Sequence, residues 1–125
     1  MKDDDLTFWT SKPNMFLVAK LAKTGQIVGC ISYKENDTST VEMHRCSVSS
    51  NCRGFGIGQK LVMALLEEAK SNGYETMYLE TSNAQFSAQR LYEKLGFHLV
   101  KEIPIEYEWL GMLTGLKVVC YSQKL

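Results

Sequence analysis

Neither sign of charge is in surplus in these 125 residues. Fourteen Lys and Arg balance fourteen Asp and Glu. The basic face that a nucleic-acid binder presents is therefore not expected, and electrostatic attachment to anionic lipid has no support. No run approaches the ~18–20 apolar residues of a membrane span. The opening Met-Lys-Asp-Asp-Asp lacks the apolar centre of a signal peptide, so the compartment expected from this sequence is the cytoplasm. The cysteines at 30, 46, 52 and 120 form no C-x-x-C pair, which argues against a zinc knuckle or a dithiol redox motif. Four reduced thiols and no metal are expected. Low hydrophobicity with high net charge, the signature of disorder, is missing: 45% of residues are hydrophobic and 22% charged. Repeats and low-complexity segments are missing too. A single domain over 1–125 is expected.

Apolar periodicity supplies the elements. Met15 to Leu21 and Gln26 to Tyr33 are strand-like runs joined by a turn at Thr24-Gly25, which predicts a hairpin. Val41 to Val48 reads as a third strand, with Glu42, His44, Cys46 and Val48 on one face and Met43, Arg45 and Ser47 on the other. From Ile57 the apolar spacing becomes helical through Leu61, Val62, Leu65, Leu66 and Ala69, and Asn72-Gly73 provides the stop. A fourth strand spans 75–81 and a short amphipathic helix 87–95, closed by Gly96. Two last strands are expected at 97–103 and 117–122, with a loop at 104–116 between them. The order β-β-β-α-β-α-β-β predicts an α/β (α+β) domain. Its sheet is mixed and mostly antiparallel, with one parallel pair around the first helix.

The segment Arg53-Gly54-Phe55-Gly56-Ile57-Gly58 joins strand to helix. Alternate glycines let the backbone approach a ligand closely. A helix start with unpaired amides suits phosphate, and Arg53 adds a charge able to make two bonds. A Walker A loop does not fit. A Rossmann fingerprint fits poorly, because the spacing is G-x-G-x-G and three antiparallel strands precede it. The R-x-x-G-x-G loop for a coenzyme A pyrophosphate fits at Arg53, Gly56 and Gly58. A tight strand-to-helix connection without ligand is the plain structural reading.

Two motifs together, VSSNCRGFGIGQKLV at 48–62 and SAQRLYEKLGF at 87–97, resemble the GNAT superfamily of N-acetyltransferases. VEMHRCSVSS at 41–50 and the later LTGLKVV narrow the likeness to its camello-like branch. The resemblance implies acetyl-CoA as cosubstrate and a primary amine as acceptor: an amino acid, a cysteine conjugate or a protein lysine. It implies Tyr92 as general acid on the departing thiolate. Glu42 is implied as base, with His44 on the same face as the other candidate. Coenzyme contacts are implied for Cys46, Ser47 and Val48 at the end of the third strand, where the resemblance implies a bulge whose free amides pair with pantetheine. The pyrophosphate is assigned to Arg53, Gly54, Phe55, Gly56, Ile57 and Gly58, with Gln59 and Lys60 assisting. Asn83, Gln85, Ser87 and Tyr92 complete the set, although Gln85 stands where many relatives have Asn. Cys46 as a covalent nucleophile finds no adjacent base motif.

The resemblance also sets expectations from what is short. Relatives begin with a strand and two helices, so Met1 to Lys12 is expected to be the tail of the second helix. The sheet would then lack its usual first strand and helix. Met15 to Leu21 would be an exposed apolar edge, covered by a second subunit or by Met1 to Lys12. The 109–116 stretch, WLGMLTGL, has three readings: a lining of the acceptor site, a contact with a membrane or second subunit, or a loop tucked on the core. Membrane association, at the endoplasmic reticulum, follows only from the branch, for a longer camello-like protein of which this chain would be a piece. A coenzyme A-binding module without transferase activity is the alternative function.

Overall fold

The computed structural model describes residues 6–11, 14–104 and 117–125, and for 6–11 it describes the backbone alone. The strands are β1 (Leu6–Ser11), β2 (Asn14–Lys20), β3 (Ile27–Glu35), β4 (Thr40–Val48), β5 (Thr76–Ser82), β6 (His98–Pro104) and β7 (Lys117–Lys124). The helices are α1 (Ile57–Ser71), between β4 and β5, and α2 (Phe86–Lys94), between β5 and β6. All seven strands form one sheet in the order β1-β2-β3-β4-β5-β7-β6. Only β4 and β5 are parallel, the arrangement that a crossover helix requires.

One face of the sheet carries the core. Met15, Leu17, Ile31, Tyr33, Val41, Met43, Met77, Leu79, Val119 and Tyr121 are buried in a single cluster with Leu61, Val62, Leu65 and Ala69 of α1 and Tyr92 of α2. Both helices therefore pack on this face. Because side chains alternate along a strand, the other face is lined by Ser32, Lys34, Glu42, His44, Tyr78 and Glu80. Phe16, Ser32 and His44 form one row across β2, β3 and β4.

Two expectations are corrected. Residues 6–11 are strand β1, not a helix tail. They pair antiparallel with β2 from Leu6↔Ala19 to Ser11↔Asn14, so the sheet does not lack a strand before the hairpin. The run Leu-Thr-Phe-Trp-Thr is rich in aromatic and β-branched residues, which favour strand. With β1 in place β2 is not an edge, and association through an exposed β2 edge loses its basis. The 109–116 stretch lies outside the described residues.

The second correction concerns β4. Strict alternation fails there because Arg45 adopts φ +55 in the left-handed region. β3 advances two residues from Cys30 to Ser32 while β4 advances three from His44 to Ser47, which is a β-bulge. Cys46 and Val48 are thereby turned to pack against the core with Val41 and Met43, while Glu42 and His44 stay on the opposite face.

Candidate active site

β4 and β5 pair only over Thr40–Glu42 and Thr76–Tyr78. Beyond Glu42 the two strands part, and the bulge at Arg45 turns β4 away. Backbone groups of β4 directed toward β5 have no strand partner there. The gap is a cleft of about 230 Å³ lined by Met43, Cys46, Leu79, Thr81, Gln85 and Tyr92, with His44, Arg45 and Glu80 at its rim.

Tyr92 is the most constrained side chain in this cleft. Its ring is buried and packs edge-on against Phe97, with centroids 5.9 Å apart, and at a tilt against Tyr121, 6.5 Å away. Its hydroxyl makes no hydrogen bond to any described residue. Burial, and secondarily the charge of a Cys46 thiolate, push its pKa up to about 12, so it keeps its proton at neutral pH. The Cys46 thiol is pushed up to about 11, by burial first and then by Cys30. A thiol held in its neutral form is a poor nucleophile.

Past the cleft, β4 leads through Ser47 and Val48 to the glycine-rich turn. A 3-10 turn at Ser50–Cys52 leads to Arg53, whose Nε donates to the Val48 carbonyl at 3.4 Å. Gly54 and Gly56 have φ +88 and +77, and a Cβ on either would meet nothing within 4 Å. The ground above them is open. Gly56 is the N-cap of α1, without a side-chain cap and without an acidic residue in the first turn. The unpaired amides of that turn therefore face open space with their partial positive charge uncompensated. Phe55 is exposed, Ile57 is buried in the core, and Gln59 accepts from Lys94 Nζ of α2 at 3.4 Å. A Cβ on Gly58 would make only ordinary contacts, 3.8 Å from Leu91 and 3.8 Å from Val48.

The remaining expected residues divide. Cys46, Gln85 and Tyr92 share the cleft, and Ser47 and Val48 lead from it toward the glycine turn. Gln85 also takes a hydrogen bond on Oε1 from the Thr81 hydroxyl. Asn83 is committed to the fold: its N–H donates to the Lys117 carbonyl at 3.0 Å and its Oδ1 accepts the Lys117 N–H at 2.9 Å. Ser87 is exposed in the first turn of α2. Glu42 does not line the Tyr92 cleft. It opens instead into a second cavity, of about 320 Å³, with Tyr78, Glu80, Lys101 and Cys120. Leu79 and Glu80 line both cavities, so the gap between β4 and β5 is reached from both faces of the sheet. His44 Nε2 lies 3.8 Å from Glu42 Oε2.

Sequence reasoning missed Arg45 and Glu80 as site residues, and Gly29 as the close-approach position under α1. A Cβ on Gly29 would lie 3.0 Å from Leu61 Cδ1 and 3.0 Å from the Ser47 carbonyl oxygen. A signal for the bulge was present. The apolar positions 41, 43, 46 and 48 are spaced two, three, two, which a flat strand does not allow.

Among the described residues no cluster of His, Cys, Asp and Glu could hold a metal, and no helix is long and apolar enough to cross a membrane. Comparison with known proteins places this geometry. The chain is 39% identical over 111 residues to the N-acetylaspartate synthetase of Danio rerio, a match covering 86% of this chain and 38% of that protein. It is 34% identical over 121 residues to the "Probable N-acetyltransferase camello" of Xenopus laevis, covering 97% of this chain and 51% of the relative. The chain thus spans between a third and about half of the length of these curated relatives. Among solved structures, a GNAT family acetyltransferase from Elizabethkingia anophelis with acetyl-CoA bound has the same fold. It superposes with a TM-score of 0.82 at 18% identity, over 100% of both chains. Residues 1–97 match the acetyltransferase (GNAT) family, and the chain belongs to that family as a camello-like member.

Proposed function

We propose that this chain binds acetyl-CoA and transfers the acetyl group to a primary amine, with residues 1–125 acting as one unit. The observation that carries the reading is the continuity of the site. Cys46 lines the Tyr92 cleft, and Ser47 and Val48 carry the chain on from it to the glycine turn and the uncapped start of α1. That path has the chemistry of the coenzyme: anion-binding amides at one end, free peptide groups along its length and a proton donor at the other. The family's name and the acetyl-CoA bound in the Elizabethkingia anophelis protein support it.

In this reading the pyrophosphate lies on the amides of Gly54 to Gln59, beside Arg53. Pantetheine runs along Cys46, Ser47 and Val48, walled by Gln85, with Asn83 and Ser87 behind it. The acceptor enters from the opposite face, past Glu42 and Glu80. Glu42 takes a proton from the ammonium directly or through water. The neutral nitrogen attacks the thioester carbon, the C–S bond breaks and an amide forms. Tyr92 donates a hydrogen bond to the sulfur as charge develops on it. Complete transfer from a phenol of pKa about 12 to a thiolate whose parent thiol titrates near ~8.5 is uphill. Tyr92 therefore acts as donor in a dry site, where such a bond is strongest, and the sulfur takes its proton finally from solvent.

Calorimetry with acetyl-CoA, followed by free-thiol release across a panel of amines, tests the reading. Micromolar binding with amine-dependent thiol release is expected. Binding without release from any amine would leave a coenzyme A-binding module, and no binding would end the proposal.

A further inference from the structure

Helix α2 has little of its own to hold it in place. It is nine residues long, its N-cap Gln85 makes no side-chain cap bond, and its first turn holds no acidic residue. A helix this short is marginal by itself, so tertiary ties fix its alignment. Two of them come from one face of β7. Tyr121 is buried, and its hydroxyl donates to Glu93 Oε1 at 2.9 Å, with Gln89 Oε1 a longer second acceptor at 3.4 Å. Gln123, two residues on, donates from Nε2 to the Leu95 carbonyl at 3.1 Å. The same Tyr121 ring lies at a tilt against the ring of Tyr92, with centroids 6.5 Å apart. Resting on the acetyl-transfer reading above, we infer that Tyr121 is a positioning residue for that chemistry: its bond to Glu93 sets the rotation of α2 about its own axis and so aims the Tyr92 hydroxyl into the cleft.

The placement of three α2 residues carries the argument. Gln89, Tyr92 and Glu93 stand at i, i+3 and i+4, so they share one side of the helix, and Tyr121 meets all three. Gln89 is held from a second direction, since its Nε2 donates to the carbonyl of Ser82, the last residue of β5, at 3.0 Å. β5 walls the cleft through Leu79, Glu80 and Thr81. The helix that carries the donor is thus tied to that wall and to β7 together. Phe97 stands on the other flank of Tyr92, edge-on at 5.9 Å. The Tyr92 hydroxyl makes no hydrogen bond to a described residue, so nothing at its tip corrects a turn of the helix. Rolling a helix by roughly 10° moves a phenol oxygen at its rim by about 1 Å or more, and a misplacement of about 1 Å costs up to about 10²-fold in rate. Burial first, and then the Glu93 carboxylate, push the Tyr121 pKa up to about 12, so the tie keeps its proton through the neutral range.

The test uses the full chain with acetyl-CoA and an amine that the panel above shows to be acetylated. Tyr121→Phe keeps the ring and loses the bond. It should lower kcat about tenfold and leave acetyl-CoA affinity within about twofold, because the coenzyme's own contacts are untouched. Glu93→Ala should match it, and the double variant should lose no more than either alone. Glu93→Gln keeps an acceptor and should stay within about twofold of wild type. The deciding comparison is made in Tyr92→Phe. There Tyr121→Phe should change kcat by less than about twofold, while lowering the melting temperature as much as it does beside Tyr92. A tenfold loss that persists in Tyr92→Phe would make Tyr121 a packing residue and overturn the inference, as would wild-type kcat in Tyr121→Phe. Should Tyr121→Phe not fold, Glu93→Ala, at an exposed position, carries the same comparison. A second readout needs no turnover. In a chain made with isotopically labelled tyrosine, the Tyr92 ring signals, assigned through Tyr92→Phe, should shift in Tyr121→Phe and in Glu93→Ala but not in Glu93→Gln. Unmoved signals in the first two overturn the inference whatever the activity. Failure of the unaltered chain to bind acetyl-CoA or to turn over would instead strike the reading beneath it.

Discussion

Glu42 and Tyr78 are the last residues that β4 and β5 pair. Apart from Glu42 itself, everything chemical in the proposed site lies beyond them. A parallel pair that continued would bury both strands' peptide groups in a ladder and leave no gap. One left-handed residue, Arg45, turns β4 aside, while β5 stays paired with β7 as far as Ser82.

Gly56→Asp is expected to keep the fold and lose the coenzyme. Asp tolerates the left-handed backbone better than most residues and is a good N-cap, so the melting temperature should fall by only a few degrees. Its carboxylate would occupy the open ground over the first amides of α1 and repel a pyrophosphate. Acetyl-CoA affinity should drop by at least about a hundredfold in calorimetry. Unchanged affinity would remove the phosphate end of the path.

Tyr92→Phe should lower kcat by about 10²–10³, the usual loss when one positioned donor is removed, with acetyl-CoA affinity within a few fold. Stability should be unchanged or slightly raised, because the hydroxyl has no partner to lose among the described residues. Wild-type turnover in this variant would reduce Tyr92 to a packing residue.

The same side chain makes a prediction in alkali. Its folded pKa of about 12 exceeds the ordinary phenol value of 10.0. Between those values the unfolded chain sheds a proton that the folded chain keeps, so folding is penalised progressively. This stabilisation is complete below pH 10 and lost as the pH rises through 12. Urea midpoints from pH 8 to 11.5 should fall more steeply for wild type than for Tyr92→Phe. Parallel slopes would contradict the burial of this phenol.

Gly29→Ala tests the close approach of α1 to the sheet. The added methyl would meet buried Leu61 and a backbone carbonyl, each at 3.0 Å. Neither can move freely, so a loss of about 1–3 kcal/mol is expected in urea denaturation. A neutral result would show that the helix can lift away from β3.

Much of this was legible in the sequence. Helix α1 announces itself through Leu61, Leu65 and Ala69, and the α1 turn through three spaced glycines, because both signals are local. The two motifs that carried the family resemblance contain Arg53, Gly56, Gly58 and Tyr92, and these lie in the glycine-rich turn and in the cleft. What stayed hidden depends on three-dimensional context. Leu6–Ser11 becomes strand only because β2 offers an open edge. The bulge that the resemblance implied at the end of β4 is found, but its place at Arg45 and the change of face it causes are tertiary facts, although the spacing of Val41, Met43, Cys46 and Val48 hints at them. Glu42 separates from the Tyr92 cleft because β4 changes face after His44, which no count of alternate residues reveals.

The position of β7 between β5 and β6 has a consequence for the order in which the molecule can be assembled on the ribosome. The glycine turn and α1 are complete by residue 71, and their contacts are mostly with strands already made. Tyr92, by contrast, leans on Tyr121, and the mouth of the cleft is pinned where Asn83 clasps Lys117. Those partners are synthesised some thirty residues later. A nascent chain would thus hold a finished phosphate cradle beside an unfinished reaction chamber. Tyr92, the donor of the proposed reaction, gains its contact with Tyr121 only when β7 threads between β5 and β6, a long-range closure of the kind that slows folding.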